Sequence, residues 1–220
     1  NIKVHKGYTV VDTSGYKRVN KISIMQLSKD GQRVVGSKIS INCYLASSVS
    51  IANTLVEISS KLNADWNEIV PTLQLDRRIG KYAYLKPGLG ISGGNIERDL
   101  ATIKEIGKSK ITNIDLIKTI INLSKYNKDW LFKKIKNHLK DDKKLKICVL
   151  GLAYKENTNS IKNSPSIQLL KKINEHDIKV YDPLVKKIKI KNIKEVNGSY
   201  DAISNVDILV IATPWEEFYR

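Results

Sequence analysis

Residues 145–154, "LKICVLGLAY", constrain the fold more than any other stretch. A short, continuous apolar run that closes on a glycine is the signature of a strand buried on both faces. Such strands belong to parallel sheets covered by helices. Parallel neighbours need a crossover, and one follows at once. "SPSIQLLKKINEH" has helical spacing, with Pro165 in the first turn, where a missing N–H is harmless. "IKVYDP", "SYDAISNV" and "DILVIAT" then read as strand, short helix and strand. This β-α-β-α-β order predicts a small doubly wound parallel sheet over residues 141–220, with right-handed crossovers. Ligands of such sheets sit beyond the carboxyl ends of the strands.

Upstream the character is helical. Residues 34–62, "VVGSKISINCYLASSVSIANTLVEISSKL", run without proline and predict one long helix. Its small residues, among them Gly36, Ala46, Ser48 and Ala52, permit close packing on several sides, and its length predicts a homodimer built on it. Asn63 can end it, and Asp65 is placed to cap a second helix in "ADWNEIVPTL". "ERDLATIKEIG" and "NIDLIKTIINLSKYNKDWLFKKIKNHL" predict further helices. The fold class is therefore α/β overall: an all-α region over residues 34–140, then a Rossmann-like sheet, with the boundary near Asp141 and Asp142. Residues 1–33 are poorly readable beyond a short strand and turn in "GYTVVDTSGY". The opening Asn1 and the end at "EEFYR" read as a piece of a longer chain.

The formal net charge of +16 raises the question of nucleic acid. The lysines are spread, apart from residues 128–146. There Trp130, Leu131, Ile135 and Leu139 recur at helical spacing and make the lysines one solvated helix face. No nucleic-acid-binding signature accompanies the charge, so no nucleic-acid partner is expected, and the charge suits an anionic small molecule equally well. No stretch approaches the roughly 20 apolar residues of a membrane helix, and no membrane partner is expected. Cys43 and Cys148 sit in apolar surroundings and point to a reducing, cytoplasmic setting. No metal-ligand cluster is present.

Two loops carry the chemistry. "PGLGISGGNIERDL", residues 87–100, brings backbone close to something flat or anionic. The turn after the first sheet strand, "GLAYKENT", holds Gly151 alone where a dinucleotide fingerprint needs three glycines. Tyr154 and Lys155 stand where a pyrophosphate would need bare backbone. The turn is a poor NAD site. It suits either a nucleotide stacked on Tyr154 with its phosphates at Lys155, or no ligand at all.

"SKISINCYLA", "LDRRIG", "LKPGLGISGG...RD", "VLGLAYKENTNSIKNSP", "VYDP" and "DILVIATPWEEF" occur in one order with near-normal spacing. Together they resemble the UDP-glucose/GDP-mannose dehydrogenase family over residues 34–220. The resemblance implies an enzyme that oxidises a nucleotide-sugar alcohol to aldehyde and then to acid with two NAD molecules. It implies a helical dimerisation region, a nucleotide-sugar-binding domain with a further C-terminal piece beyond this sequence, and an NAD domain that this sequence does not contain. The UDP-linked hexoses are the default substrates, with GDP-mannose as alternative. The alternative function is a non-catalytic nucleotide-sugar-binding or dimerisation protein.

Carried over residue by residue, the resemblance places Lys38 and Asn42 as the catalytic pair on the long helix. Their i, i+4 spacing independently lets both reach one bound group, where an ammonium and an amide can hold a developing alkoxide or a water. The bland reading is a surface lysine beside a packing asparagine. Arg78 matches the arginine that reaches across the dimer to the substrate. Tyr84, Leu85, Lys86 and Gly90 match the segment along the substrate, joined by Tyr154 and Lys155. Arg98 and Lys162 are weaker cofactor-side candidates. Asp99 matches the aspartate that works with the lysine and a water, and can also cap a helix.

The family loop reads G-G-S-C-F-P-K-D, and here it is "SGGNIERD". Asn95 stands at the nucleophilic cysteine. A carboxamide nitrogen is not nucleophilic, so the thioester route to the acid is closed to it. Cys43, about 140° around the helix from Lys38, and Cys148, inside a strand, do not replace the missing thiol. Glu97, where the family has proline, is either a base on an aldehyde hydrate or a solvated loop residue. The product is then either the aldehyde, or the acid by way of that hydrate.

Overall fold

The computed structural model describes residues 8–14, 21–26, 37–139 and 144–219. The expected boundary near Asp141 and Asp142, and the start of the long helix at residues 34–36, lie outside the described residues. Strands β1 (Tyr8–Ser14) and β2 (Lys21–Gln26) pair antiparallel, with a register shift between Val10 and Asp12. The second of these was not legible in the sequence.

The long helix is real: α1 spans Ser37–Lys61. It ends as expected at Asn63, whose φ of 55° is the left-handed conformation asparagine tolerates, with the Ala64 N–H closing onto the Ser59 carbonyl at 2.9 Å. Asp65 caps α2 (Trp66–Leu75) by accepting from the Asn67 N–H at 2.8 Å. Helices α3 (Asn95–Ser109) and α4 (Asp115–Lys128) pack on α1. Buried Ala46 of α1 meets Ile91, Leu100 and Ile120, and Cys43, Ile96, Ile117 and Ile121 complete this small core. Small side chains on α1 permit that approach, as their spacing predicts.

Two features of α1 depart from expectation. By length and mean hydropathy (1.3), Ile39–Lys61 reaches what a membrane span needs, although the chain reads as free of such a stretch. Its side chains divide sharply. Ala46, Ser50, Ala52 and Asn53 are buried, whereas Ile41, Tyr44, Ile51, Leu55, Ile58 and, just past its end, Leu62 are exposed. The exposed residues, with Ser48, recur at alternating steps of three and four, a 3.5-residue seam rather than a random scatter.

The predicted single helix after α3 breaks at Asp129 into α4 and α5 (Trp130–Ile135), followed by a 3-10 turn over Lys136–Leu139. Leu131 and Ile135 are buried as their spacing predicts, but in the core of the sheet, while Trp130 remains 42% exposed.

The sheet contains β3 (Lys146–Leu150), β4 (Asp177–Tyr181), β5 (Ile193–Glu195) and β6 (Ile208–Ile211). Their order is β5-β4-β3-β6 and all pairings are parallel. The residues of β3 alternate between two cores. Ile147 and Val149 face α5 and α6 (Pro165–Lys172), while Cys148 and Leu150 face Ala202 of α7 (Ser199–Ile203). Burial on both faces is why this strand reads as an unbroken apolar run. Strand order reverses about β3, so the carboxyl ends of β3 and β6 form the switch point at which such sheets bind ligands.

Candidate active site between the glycine-rich loop and the sheet

The site has two walls. The first is residues 87–94 together with the start of α3 and the middle of α1. Gly90 has a φ of 81°, and a Cβ there would lie 2.5 Å from the Ser124 carbonyl oxygen, so no other residue fits without moving α4. The loop is further pinned by the Ser124 hydroxyl, which accepts from the Ile91 N–H at 2.9 Å. The Asn53 side chain also accepts from the Gly88 N–H at 2.8 Å. These bonds hold a glycine-rich segment as one conformation.

The second wall is the carboxyl edge of the sheet. Asp182, 3% exposed at the end of β4, organises it. One carboxylate oxygen accepts from the Leu152 N–H at 2.7 Å, the Ala153 N–H at 3.0 Å and the Trp215 indole at 3.2 Å. The other accepts from the Leu184 and Val185 N–H groups at 2.9 and 2.8 Å. A buried carboxylate is tolerable only when so satisfied. The Thr213 hydroxyl adds a 2.6 Å bond to the Ala153 carbonyl, tying the ends of β3 and β6 together. Nothing in the spacing of "VYDP" marks Asp182 as this hub, although the motif itself is conspicuous.

Between the walls lie two adjoining clefts of about 380 and 390 Å³. Tyr84, Lys86, Gly90, Tyr154 and Lys155 line both, so these five predicted residues are brought together. The volumes are those of small-ligand sites. The Tyr154 ring packs against Gly93, where a Cβ would be 2.7 Å away, and the Lys155 ammonium sits 5.8 Å from that ring. Asn42 and Asn95 line the first cleft.

Asn42 and Asp99 meet. The Asn42 amide donates to Asp99 Oδ2 at 2.6 Å, and the Arg98 guanidinium donates to Oδ1 at 3.1 and 3.2 Å. Asp99 is 4% exposed. It does not cap its helix: it lies inside α3, whose N-cap is Gly94. Lys38 lies on α1 four residues before Asn42; its side chain is outside the described residues.

Other predicted residues fall elsewhere. Arg78 is absent from both cleft linings. Its guanidinium is exposed and pairs with Asp76 at 2.5 Å, holding the Asp76 carboxyl below the usual carboxylate range. Leu85 contributes its carbonyl, which accepts from the Trp66 indole at 3.0 Å, and its side chain lines neither cleft. Arg98 and Lys162 also stand off the clefts. Glu97 is partly exposed, at 28% of its side chain, and is not a loop residue. It lies in the first turn of α3 and both carboxylate oxygens are engaged, one by the Lys128 ammonium and one by the Asn163 amide.

Neither thiol replaces the missing nucleophile. Burial raises the Cys43 thiol above its ordinary pKa, and the Asp99 charge raises it further. Burial pushes Cys148, fully enclosed in β3, up to about 11. Both are therefore thiols at neutral pH, not thiolates. No cluster of metal-ligating side chains occurs among the described residues.

An NAD pyrophosphate does not fit the turn after β3. Of the fingerprint glycines only Gly151 is present, and the Tyr154 side chain packs on Gly93.

The chain matches the family model for the UDP-glucose/GDP-mannose dehydrogenase central domain over residues 36–126 and that for the family's UDP-binding domain over residues 148–220. It is 29% identical over 189 residues to UDP-glucose 6-dehydrogenase of Rickettsia conorii, covering 82% of this chain and 44% of that protein. It is 29% identical over 187 residues to UDP-glucose 6-dehydrogenase TuaD of Bacillus subtilis, with 82% and 40% covered. The fold is that of a UDP-glucose dehydrogenase from Pyrobaculum islandicum, with a TM-score of 0.75 at 24% identity over 82% of this chain and 43% of that one. The chain thus spans less than half the length of each of these relatives. With its helical layer matched to the central domain and its parallel sheet to the UDP-binding domain, the chain belongs to the UDP-glucose/GDP-mannose dehydrogenase family.

Proposed function

We propose that this chain is the substrate-holding part of an NAD-dependent nucleotide-sugar 6-dehydrogenase, and that a UDP-sugar lies in the cleft between residues 87–95 and the sheet. The observation that carries the reading is the 2.6 Å bond from Asn42 to buried Asp99, made beside a cleft that Asn42 itself lines. The bond turns the Asn42 amide and orients a carboxylate at the same point. Lys38, one turn earlier on α1, brings a cation to that end of the helix. An ammonium and an amide at a primary alcohol oxygen favour its deprotonated form, and Asp99 positions the amide. Tyr154 offers a ring for the base, and Lys86 and Lys155 offer charge for the diphosphate.

NAD would act as the hydride acceptor. The described residues give it no dinucleotide turn, so no step through it is assigned to this chain. Asn95 at the cysteine position, with Glu97 already engaged, favours a single oxidation that stops at the aldehyde. The exposed seam of α1 supports a homodimer.

Calorimetry with UDP, UDP-glucose and NAD tests the reading. UDP and UDP-glucose are expected to bind and NAD to give no heat. Tight NAD binding with no response to UDP would overturn it.

A further inference from the structure

We propose that Glu97 is a clasp between the helical layer and the sheet, and that it sets the width of the substrate cleft. The identity of the cleft's ligand rests on the reading given above. The clasp rests on three residues distant in sequence. Glu97 accepts from Lys128 at the end of α4 through one oxygen, and from Asn163, in the turn before α6, through the other. The Lys128 side chain is only 8% exposed, so its ammonium needs a partner, and Glu97 supplies it. Asn163 holds a left-handed φ of 55°, which asparagine adopts readily. Its amide thus reaches from the sheet layer to a carboxylate already fixed by the helical layer.

The turn that carries Asn163 touches the glycine-rich loop elsewhere. The Gly93 N–H donates to the Lys162 carbonyl at 3.1 Å, and the Lys162 side chain lies over Gly94. The same turn holds Tyr154, whose N–H donates to the Ser160 carbonyl at 3.0 Å. Tyr154 is one wall of the cleft and Gly93 the other, in contact. A shift of the turn therefore moves Tyr154 relative to Gly93. The other charge links across this seam are solvated at both ends, whereas the Glu97 clasp is exposed at Asn163 alone. Lys86 and Glu156 are 3.7 Å apart with side chains 74% and 40% exposed, and the Lys172–Asp129 pair at 2.7 Å is also solvated. Solvated pairs contribute little. The Glu97 clasp occupies the position where the family resemblance puts proline, which has no carboxylate to offer.

Asn163→Gly and Asn163→Asp test the clasp without orphaning Lys128, because Glu97 stays in place. Both residues tolerate the left-handed backbone. The glycine variant removes the bridge, and the aspartate variant sets one carboxylate against another. Hydrogen exchange at residues 93–95 and 160–163 is expected to accelerate about tenfold in the glycine variant, the factor that losing a hydrogen bond to a charged group is worth. It should accelerate more in the aspartate variant, with the thermal midpoint of the glycine variant nearly unchanged. UDP affinity should fall in the same order. A merely structural surface residue would leave both unmoved, and unchanged exchange in both variants overturns the clasp. If the unmodified chain does not bind UDP, the ligand reading fails, while exchange still decides the clasp.

Discussion

Asn42 and Asp99, 57 residues apart in sequence, share a 2.6 Å hydrogen bond that joins α1 to α3 beside the cleft. Its loss is expected to be felt first as stability. Asp99→Ala leaves the Asn42 amide without its acceptor in a site where Asp99 is 4% exposed. The Asn42 amide is only part-buried, so the cost should be about 1 kcal/mol, the low end of the penalty for an unsatisfied group. Asp99→Asn keeps an acceptor oxygen and should cost less. Urea denaturation of the two variants checks the order; equal midpoints for both variants and the parent would show that the bond holds nothing.

The end of α3 is strained in a way the sequence conceals. The Thr112 N–H bonds to the Gly107 carbonyl at 2.9 Å and the Ile111 N–H to that of Lys108 at 3.2 Å, the paired bonds of a glycine-terminated helix. The residue in the left-handed position is Ile111, with a φ of 55° and 95% exposure. A β-branched residue there costs about 1–2 kcal/mol and buries nothing in return. Ile111→Gly is expected to raise stability by about 1 kcal/mol, or roughly 2–4 °C for a chain this size. A lowered melting temperature would contradict that account.

Much of this fold is legible because local chemistry and tertiary packing agree. The unbroken run of β3 is apolar because both its faces are covered, and Asp65 and Pro165 start their helices as their residue types demand. The break at Asp129 is invisible because helical spacing continues through it: Leu131 and Ile135 keep the period but change cores. Strand β5 has three residues, too few to show any period. The partners of Glu97 lie 31 and 66 residues away and leave no trace in spacing. Its residue type alone reads as a loop acid or a base. Asp182 is similarly silent, since its five donors are backbone or indole groups gathered by the fold.

Alkaline pH offers a separate check on the sheet. The Cys148 thiol is raised by burial from an ordinary 9.0 to about 11, so the folded chain holds this proton more tightly than the unfolded one. Its contribution is fully present below pH 9 and is lost as pH rises towards 11. Cys148→Val should flatten that part of the stability–pH curve relative to the parent. Identical slopes in parent and variant would place the loss in other groups.

The proposed dimer rests on the seam of Ile41, Tyr44, Ile51, Leu55, Ile58 and Leu62. The 21 steps from Ile41 to Leu62 span about 32 Å at 1.5 Å per residue, long enough for a two-helix interface. Light scattering at micromolar concentration should give a dimer. The double change Leu55→Lys with Ile58→Lys should give a folded monomer, since both side chains are exposed in the single chain. A monomeric parent would remove the proposed dimer.

Asn95 sets the last prediction, read in the proposed dehydrogenase supplied with UDP-glucose and NAD. Asn95 is the first residue of α3 and lines the cleft with Asn42. It offers no nucleophile, and the carboxylate two residues on is held by Lys128 and Asn163. One NADH per sugar is therefore expected, with the aldehyde as product, in the parent and in Glu97→Gln alike. Asn95→Cys should add the second NADH. A thiol at this position begins a helix, where the unsatisfied N–H groups favour its thiolate, and the Arg98 side chain, 62% exposed, adds a cation within one turn. That thiolate can attack the aldehyde carbon, and loss of hydride from the adduct leaves a thioester that water then opens to the acid. Two NADH per sugar from the unmodified enzyme would show that Asn95 is no block. In that case the hydrate must find its base among the groups lining the cleft and not at Glu97.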